Sequence, residues 1–325
     1  MIGLARSERI KRILQNARAT SALARRYVAG KTAAAGVERA RVLLAERGIR
    51  SSLFFLGEYV DQLDLVRLNV EQKKAVASAL GAARLDVHVS VDPTQIGYSI
   101  DPALARSNAF EIAESIRAAA GKTGGFHCLM IDMEDAGVID ASIALHDALR
   151  RQGLPTALTL QAYLRRTESD LAAQLCTGAK VRLVKGAFAA GRDIAFTKQA
   201  EIKANHRRLI DLMFSPEARE SGFYPIVATH DDALHAHAVA QAERHGWPSD
   251  SYEFEMLMGV RGDVAAALAA HGHRVRLYVP FGKDWWPYAA RRIGENPRNA
   301  ILLLRSLFGR GDTLPPSARP FAVSA

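Results

Sequence analysis

The stretch His127-Cys-Leu-Met-Ile-Asp-Met133, the helical pattern Ile139–Arg151 and then Thr156-Ala-Leu-Thr-Leu-Gln161 read as strand, helix, strand. Both strand candidates are near-continuous apolar runs. Strands look this way when both faces are covered, as in a parallel sheet with helices packed outside it. Two such strands joined by a helix form the right-handed βαβ unit. The pattern recurs on either side. Further strands are expected at Arg50–Leu56, Leu85–Val91, Val181–Val184, Pro225–Thr229, Tyr252–Leu257 and Arg274–Val279, with helical segments such as Leu65–Ala83, Asn108–Ala120 and Ala195–Met213 between them. Eight β/α units over about 260 residues is the size of a closed (β/α)8 TIM-like barrel. An open doubly wound sheet is the alternative, but it would favour a G-x-G-x-x-G loop after an early strand, and none occurs.

The expected organisation is an N-terminal helical extension over residues 1–48, a barrel over 49–312 and a C-terminal tail over 313–325. Of the 325 residues, 49% are hydrophobic and 24% charged, an ordinary balance for a chain with a sizeable core. Cys128 and Cys176 are the two cysteines, too few for a disulfide framework or a thiolate metal site, which suits a reducing cytosol. No apolar run reaches the roughly 18 residues of a membrane span, and the first residues lack a secretory apolar core, so export is not expected. The formal net charge is +9, with Arg6, Arg9, Lys11, Arg12, Arg18, Arg25, Arg26 and Lys31 concentrated at the start. Interleaved with Ile10, Ile13, Leu14, Leu23 and Tyr27, they read as amphipathic helix. A solvated face is the first reading and contact with anionic lipid the second. Nucleic-acid binding is not expected, since stacking aromatics and recognition motifs are lacking. The location expected is cytoplasmic, with peripheral docking at the inner membrane face left open.

A barrel collects its functional residues at the C-terminal ends of its strands. The sequence puts Asp92 after strand 2, Asp132 with Glu134 and Asp135 on strand 3, and Gln161 on strand 4. Arg182 and Lys185 follow on strand 5, Thr229-His230-Asp231 on strand 6, Glu253 and Glu255 on strand 7, and Tyr278 on strand 8. Seven strands carrying polar groups to one mouth point to an enzyme. Lys185 could form a Schiff base, hold a phosphate or pair with a carboxylate. Asp132, Glu134 and His230 have metal-ligand chemistry, although no metal site is the leading expectation. His235 and His237 fall on the helix after strand 6 and read as surface histidines.

Beyond Tyr278 the chain runs through Gly282 into Trp285-Trp-Pro-Tyr-Ala-Ala-Arg291-Arg292-Ile-Gly-Glu295. Adjacent guanidiniums in the early turns of a helix form a fork for a planar anion such as a carboxylate, with Glu295 placed to orient one of them. Two ordinary surface arginines are the other reading.

Taken together, Val181-Arg-Leu-Val-Lys-Gly-Ala-Phe188, Ile131-Asp-Met-Glu-Asp135, Leu160-Gln-Ala-Tyr-Leu164, Ala228-Thr-His-Asp231, Phe254-Glu-Met-Leu257 and the arginine pair resemble the proline dehydrogenase family from about residue 50 to 310. The resemblance is to its monofunctional bacterial members. It implies a distorted barrel that binds FAD non-covalently, oxidises L-proline to Δ1-pyrroline-5-carboxylate by hydride transfer to flavin N5, and passes electrons to membrane quinone. By motif, the resemblance assigns Asp132, Arg182 and Tyr278 to the catalytic centre. It puts Met133, Gln161, Lys185, Gly186, Ala187, Thr229 and His230 around the cofactor. Arg291, Arg292, Leu257 and Glu295 go to the substrate.

One position departs from the family. Where the resemblance calls for a carboxylate-binding lysine after strand 2, this chain reads Val89-Ser-Val-Asp92-Pro-Thr-Gln-Ile-Gly97. Replacing a cation by Asp92 changes the local charge by two units. L-Proline is the expected substrate, with another cyclic or secondary amine as the alternative. A flavin-free Schiff-base or metal enzyme, and a non-catalytic binding homologue, are the rival classes.

Overall fold

The computed structural model of the chain describes residues 26–57 and 60–294, with side chains to Ala289. Eight parallel strands close into a barrel in chain order: β1 Arg50–Phe55, β2 His88–Val91, β3 Cys128–Ile131, β4 Thr156–Gln161, β5 Lys180–Val184, β6 Tyr224–Ala228, β7 Glu253–Leu257 and β8 Val275–Phe281. The seam between β1 and β8 is paired from Arg50 with Arg276 to Phe55 with Phe281. Every residue of β2, β3 and β4 is buried, the physical reason their sequences lack alternation.

The helices in the described residues are α1 Ala33–Arg47, α2 Leu63–Ala82, α3 Pro102–Ala120, α4 Ile139–Arg151, α5 Thr167–Leu175, α6 Gln199–Met213, α7 Pro216–Glu220, α8 Asp232–Arg244, α9 Gly262–Ala270 and α10 Trp285–Gly294. Local chemistry sets several of their ends. Thr32 caps α1 by accepting from Ala35 N, and the helix stops at Gly48 with φ 65°. Asp101 caps α3 just before Pro102. On α2 the buried stripe is Val66, Asn69, Val70, Lys73, Val76, Ala77 and Leu80, spaced three or four apart. A lysine sits in the middle of that apolar face.

The core between barrel and helices has one part around Leu53, Val89, Leu129 and Val279 and another around Leu158, Val181, Val227 and Phe254. Inside the barrel, Cys128, Met130, Ala157 and Ile226 form a small apolar layer. At the N-terminal end of the barrel, Arg276 donates from Nε to Glu253 Oε1 (2.8 Å), from Nη2 to Asp86 Oδ2 (2.8 Å) and from Nη1 to Ser51 O (3.0 Å). Burial opposes the Arg276 charge, but these carboxylates hold the guanidinium protonated.

The structure departs from the sequence expectation at Glu253 and at two histidines of α8. Glu253 is the first residue of β7, so it belongs to this lower network and not to the mouth. His235 and His237 are buried, because α8 turns that face inward. His237 Nε2 lies 2.6 Å from Asp211 Oδ1 on α6, and His235 Nε2 lies 3.1 Å from the Thr229 carbonyl.

By its contacts the chain divides into one compact unit over residues 26–285 and another made of 1–25 with 286–325. The first is the barrel with α1–α9. Helix α10 carries Arg291 and Arg292 in its second half, not its early turns, and their side chains lie outside the described residues. Glu295, the basic segment before Arg26 and residues from 295 onward also lie outside them.

Gly81 near the end of α2 marks the close approach of α3, since a Cβ there would overlap the Ala119 carbonyl oxygen. Gly81→Ala would favour an isolated helix by about 1 kcal/mol. In this protein it should destabilise by about 1–3 kcal/mol through overpacking. Urea unfolding should show a lower midpoint at unchanged slope.

Candidate active site

The C-terminal mouth is organised around Arg182 on β5. This guanidinium donates from Nη1 to Glu255 Oε1 on β7 (2.8 Å), from Nη2 to Asp132 just beyond β3, and from Nε (3.1 Å) and Nη2 (2.9 Å) to Thr159 Oγ1 on β4. Tyr278 on β8 donates its hydroxyl to the other oxygen of Asp132 (2.8 Å), and its ring lies 5.6 Å from the Arg182 guanidinium carbon. Five strands thus meet on one buried charge. Burial works against ionisation of Arg182, yet Asp132 and Glu255 keep it firmly protonated. Burial raises the Glu255 carboxyl, and Arg182 opposes that rise. The Tyr278 phenol is driven well above its ordinary range by burial and then by Asp132 and Asp92, so it stays a hydrogen-bond donor.

The structure therefore brings Asp132, Arg182 and Tyr278 together. Asp92 follows β2 and is close enough to Tyr278 to influence it. Leu257 ends β7, with its backbone N–H 3.4 Å from His230 Nε2. Two contributors were missed by sequence reasoning. Thr159 stands two residues before Gln161 and so on the same face of β4, a spacing that could have exposed it. Lys73 on α2 has its Nζ 2.8 Å from Gln95 Oε1 and 5.3 Å from the Phe54 ring centre, and it is fully buried. Its signal was a charge on an apolar helical stripe.

The residues expected around a cofactor line the β3–β6 side. Met133 and Gln161 are buried. Gln161 Nε2 donates to Glu134 O (2.7 Å), while its buried Oε1 has no donor among the described residues. Lys185, Thr229, His230 and Arg261 line an open cavity of about 550 Å³ beyond β5 and β6. Gly186, at φ 98°, gives way to the Tyr163 ring, which a Cβ would overlap. Ala187 beside it is exposed.

The rival chemistries find less support. Lys185 is exposed and lacks the apolar enclosure that makes an amine nucleophilic. Both Glu134 oxygens are committed to Thr94, one to its N–H (2.9 Å) and one to its hydroxyl (2.6 Å). Among the described residues no group of three or more His, Cys, Asp or Glu side chains is arranged to hold a metal.

A closed parallel barrel with this charged constellation at its C-terminal mouth has the architecture of a (β/α)8-barrel enzyme. The chain belongs to the proline dehydrogenase family, whose model matches residues 37–303. It is 32% identical over 290 residues to proline dehydrogenase of Deinococcus radiodurans, covering 88% of this chain and 90% of that one. It is 30% identical over 285 residues to proline dehydrogenase 1 of Bacillus subtilis, covering 87% and 90%. Among solved structures, proline utilization A of Bdellovibrio bacteriovorus inactivated by N-propargylglycine shares the fold at TM-score 0.76 and 18% identity, covering 96% of this chain. Proline utilization A of Corynebacterium freiburgense shares it at TM-score 0.70 and 21% identity, covering 94%. The chain spans only 38% and 34% of those longer chains.

Asp132→Ala should leave Arg182 short of one buried counter-charge and cost about 3–5 kcal/mol. Tyr278→Phe removes only one hydrogen bond and should cost about 1 kcal/mol. Urea unfolding of the two variants side by side checks the contrast, and equal losses would refute it.

Proposed function

We propose that this chain oxidises L-proline to Δ1-pyrroline-5-carboxylate with FAD as its cofactor. The observation that carries the reading is the buried Asp132–Arg182–Tyr278 constellation at the barrel mouth, in a chain that belongs to the proline dehydrogenase family.

The residues present fit a flavin. Gln161 offers a buried acceptor oxygen that has no donor among the described residues, as a ring N–H would require. The cavity beyond β5 and β6 has Lys185 and Arg261 on its walls beside Asp231 and Asp232, and since Arg261 is paired with Asp232 (3.0 Å), Lys185 is the cation it would offer a pyrophosphate. Met133, Gln161, Lys185, Gly186, Ala187, Thr229 and His230 would hold the cofactor. Bound there, FAD supplies the two-electron acceptor for a hydride leaving the ring carbon next to nitrogen.

The chain's own groups supply orientation and charge. Arg182 would bring a fixed cation toward the electron acceptor, where negative charge gathers on reduction. Asp132 fixes both Arg182 and the Tyr278 hydroxyl, so the Tyr278 ring presents one face to the substrate beside Leu257. Arg291, Arg292 and Glu295 would bind the substrate carboxylate. Membrane quinone is the proposed electron acceptor. No helix among the described residues is long and apolar enough to cross a membrane, so the proposed contact is peripheral, through the basic N-terminal segment. Asp92 supports a second reading in which another cyclic amine is the substrate.

Anaerobic addition of L-proline to the purified yellow protein should bleach its visible flavin absorption. Arg182→Met should slow that bleaching by about a hundredfold to a thousandfold. A yellow protein that stays oxidised would redirect the search to other cyclic amines. A protein still colourless after FAD is supplied would overturn the cofactor assignment.

A further inference from the structure

A lysine is expensive to bury, and Lys73 is fully buried on α2 at the mouth of the barrel. Its ammonium donates to Gln95 Oε1 at 2.8 Å. Gln95 is itself fully buried and anchored through Nε2 to Phe55 O (3.2 Å) and Gly57 O (2.8 Å), so the acceptor cannot swing away. The Lys73 charge lies over the Phe54 ring, whose centre is 5.2 Å from that of Tyr278. Lys73, Phe54 and Tyr278 thus pack in series beneath the mouth.

The charge balance shows what Lys73 does there. Around the cluster of Lys73, Arg182 and Tyr278, the carboxylates Asp92, Asp132 and Glu255 act on the two cations and the phenol. Removing Lys73 would leave three carboxylates facing one guanidinium, a poor reception for an anionic substrate. The strand position where the family resemblance calls for a lysine holds Asp92, and the cation stands across from it on the helix. Both Asp92 and Asp132 act on Lys73 through space, partly offsetting the burial that lowers its pKa to about 8. A helix-borne lysine clamped by a fixed amide and balanced by the strand aspartate can serve the carboxylate that a strand-borne lysine would serve.

We propose that Lys73 is a substrate-carboxylate-binding residue of this enzyme, held in place by Gln95 and Asp92, so that the pair Lys73–Asp92 replaces a single strand lysine. The assignment rests on the reading of the chain as a proline dehydrogenase.

The test uses the FAD-loaded full-length protein and two ligands that cannot be oxidised as proline is: tetrahydrofuran-2-carboxylate and its uncharged carboxamide. Calorimetry gives the affinity of each for the parent, Lys73→Met, and Lys73→Met with Asp92→Lys. The single variant should lose about tenfold to a hundredfold in carboxylate affinity while binding the carboxamide as the parent does. The double variant, with the cation returned to the strand, should recover most of that loss. Carboxylate affinity of the parent should decline as pH rises past about 8, as Lys73 gives up its proton. That decline should be absent from Lys73→Met. The groups facing Lys73 are Gln95 and Asp92 after β2, Asp132 after β3, and Tyr278 with Arg182 beyond. Of these, Arg182 and the Tyr278 phenol hold their protons throughout this range.

Unchanged carboxylate affinity in Lys73→Met would overturn the assignment, as would equal losses for carboxylate and carboxamide, which would mark a structural role. Failure of the broader reading looks different: a parent whose carboxylate affinity depends on Lys73 but whose flavin is not bleached by proline.

Discussion

A guanidinium inside a closed barrel has to be surrounded by acceptors, and that requirement organises the mouth. Arg182 is almost fully buried, and Thr159, Asp132 and Glu255 each arrive from a different strand to satisfy it. Buried ion pairs add little net stability because desolvation offsets their attraction, yet breaking one is costly. The arrangement therefore specifies geometry more than it adds strength. A one-residue slip of β3, β4 or β7 would turn an acceptor to the wrong face and strand the charge. The same network fixes Tyr278 through Asp132, so the aromatic wall inherits the register of the barrel.

The lower end repeats the logic with Arg276, Glu253 and Asp86. Between the two charged layers lies a thin apolar one of Cys128, Met130, Ala157 and Ile226. That separation lets the mouth change its chemistry without disturbing the floor, and it accounts for Glu253 and Glu255 having different duties only two residues apart on one strand.

The fold was legible because parallel strands buried on both faces leave unbroken apolar runs. β4 was read to its true ends, Thr156 and Gln161, since all six residues are buried. The site was legible where polar residues closed those runs, as Asp132 and Gln161 do. It was obscure where position along the strand mattered. Glu253 carries the same side chain as Glu255 but sits at the wrong end, and a list of strand residues does not separate top from bottom. His235 and His237 share an apolar face of α8 that alanines made hard to recognise. Lys73 left little signal, because the helices of a barrel ordinarily supply packing and a single lysine in a helix reads as a solvated one. The arginine fork on α10 rests on sequence alone, because its side chains lie outside the described residues.

The seam joining β1 to β8 also governs when this molecule can come into being. Arg276 Nη1 meets Ser51 O at a sequence separation of 225, and six successive residue pairs, Arg50 with Arg276 to Phe55 with Phe281, span a similar distance along the chain. Contacts so distant in sequence form late and slow the search for the native state. At a synthesis rate of about 5–20 residues per second, β1 waits many seconds as an open edge before its partner strand exists. Tyr278 rides on that last strand. Sealing the barrel and completing the wall of the site are consequently one event, and a nascent chain stalled short of β8 holds a redox pocket with one side missing.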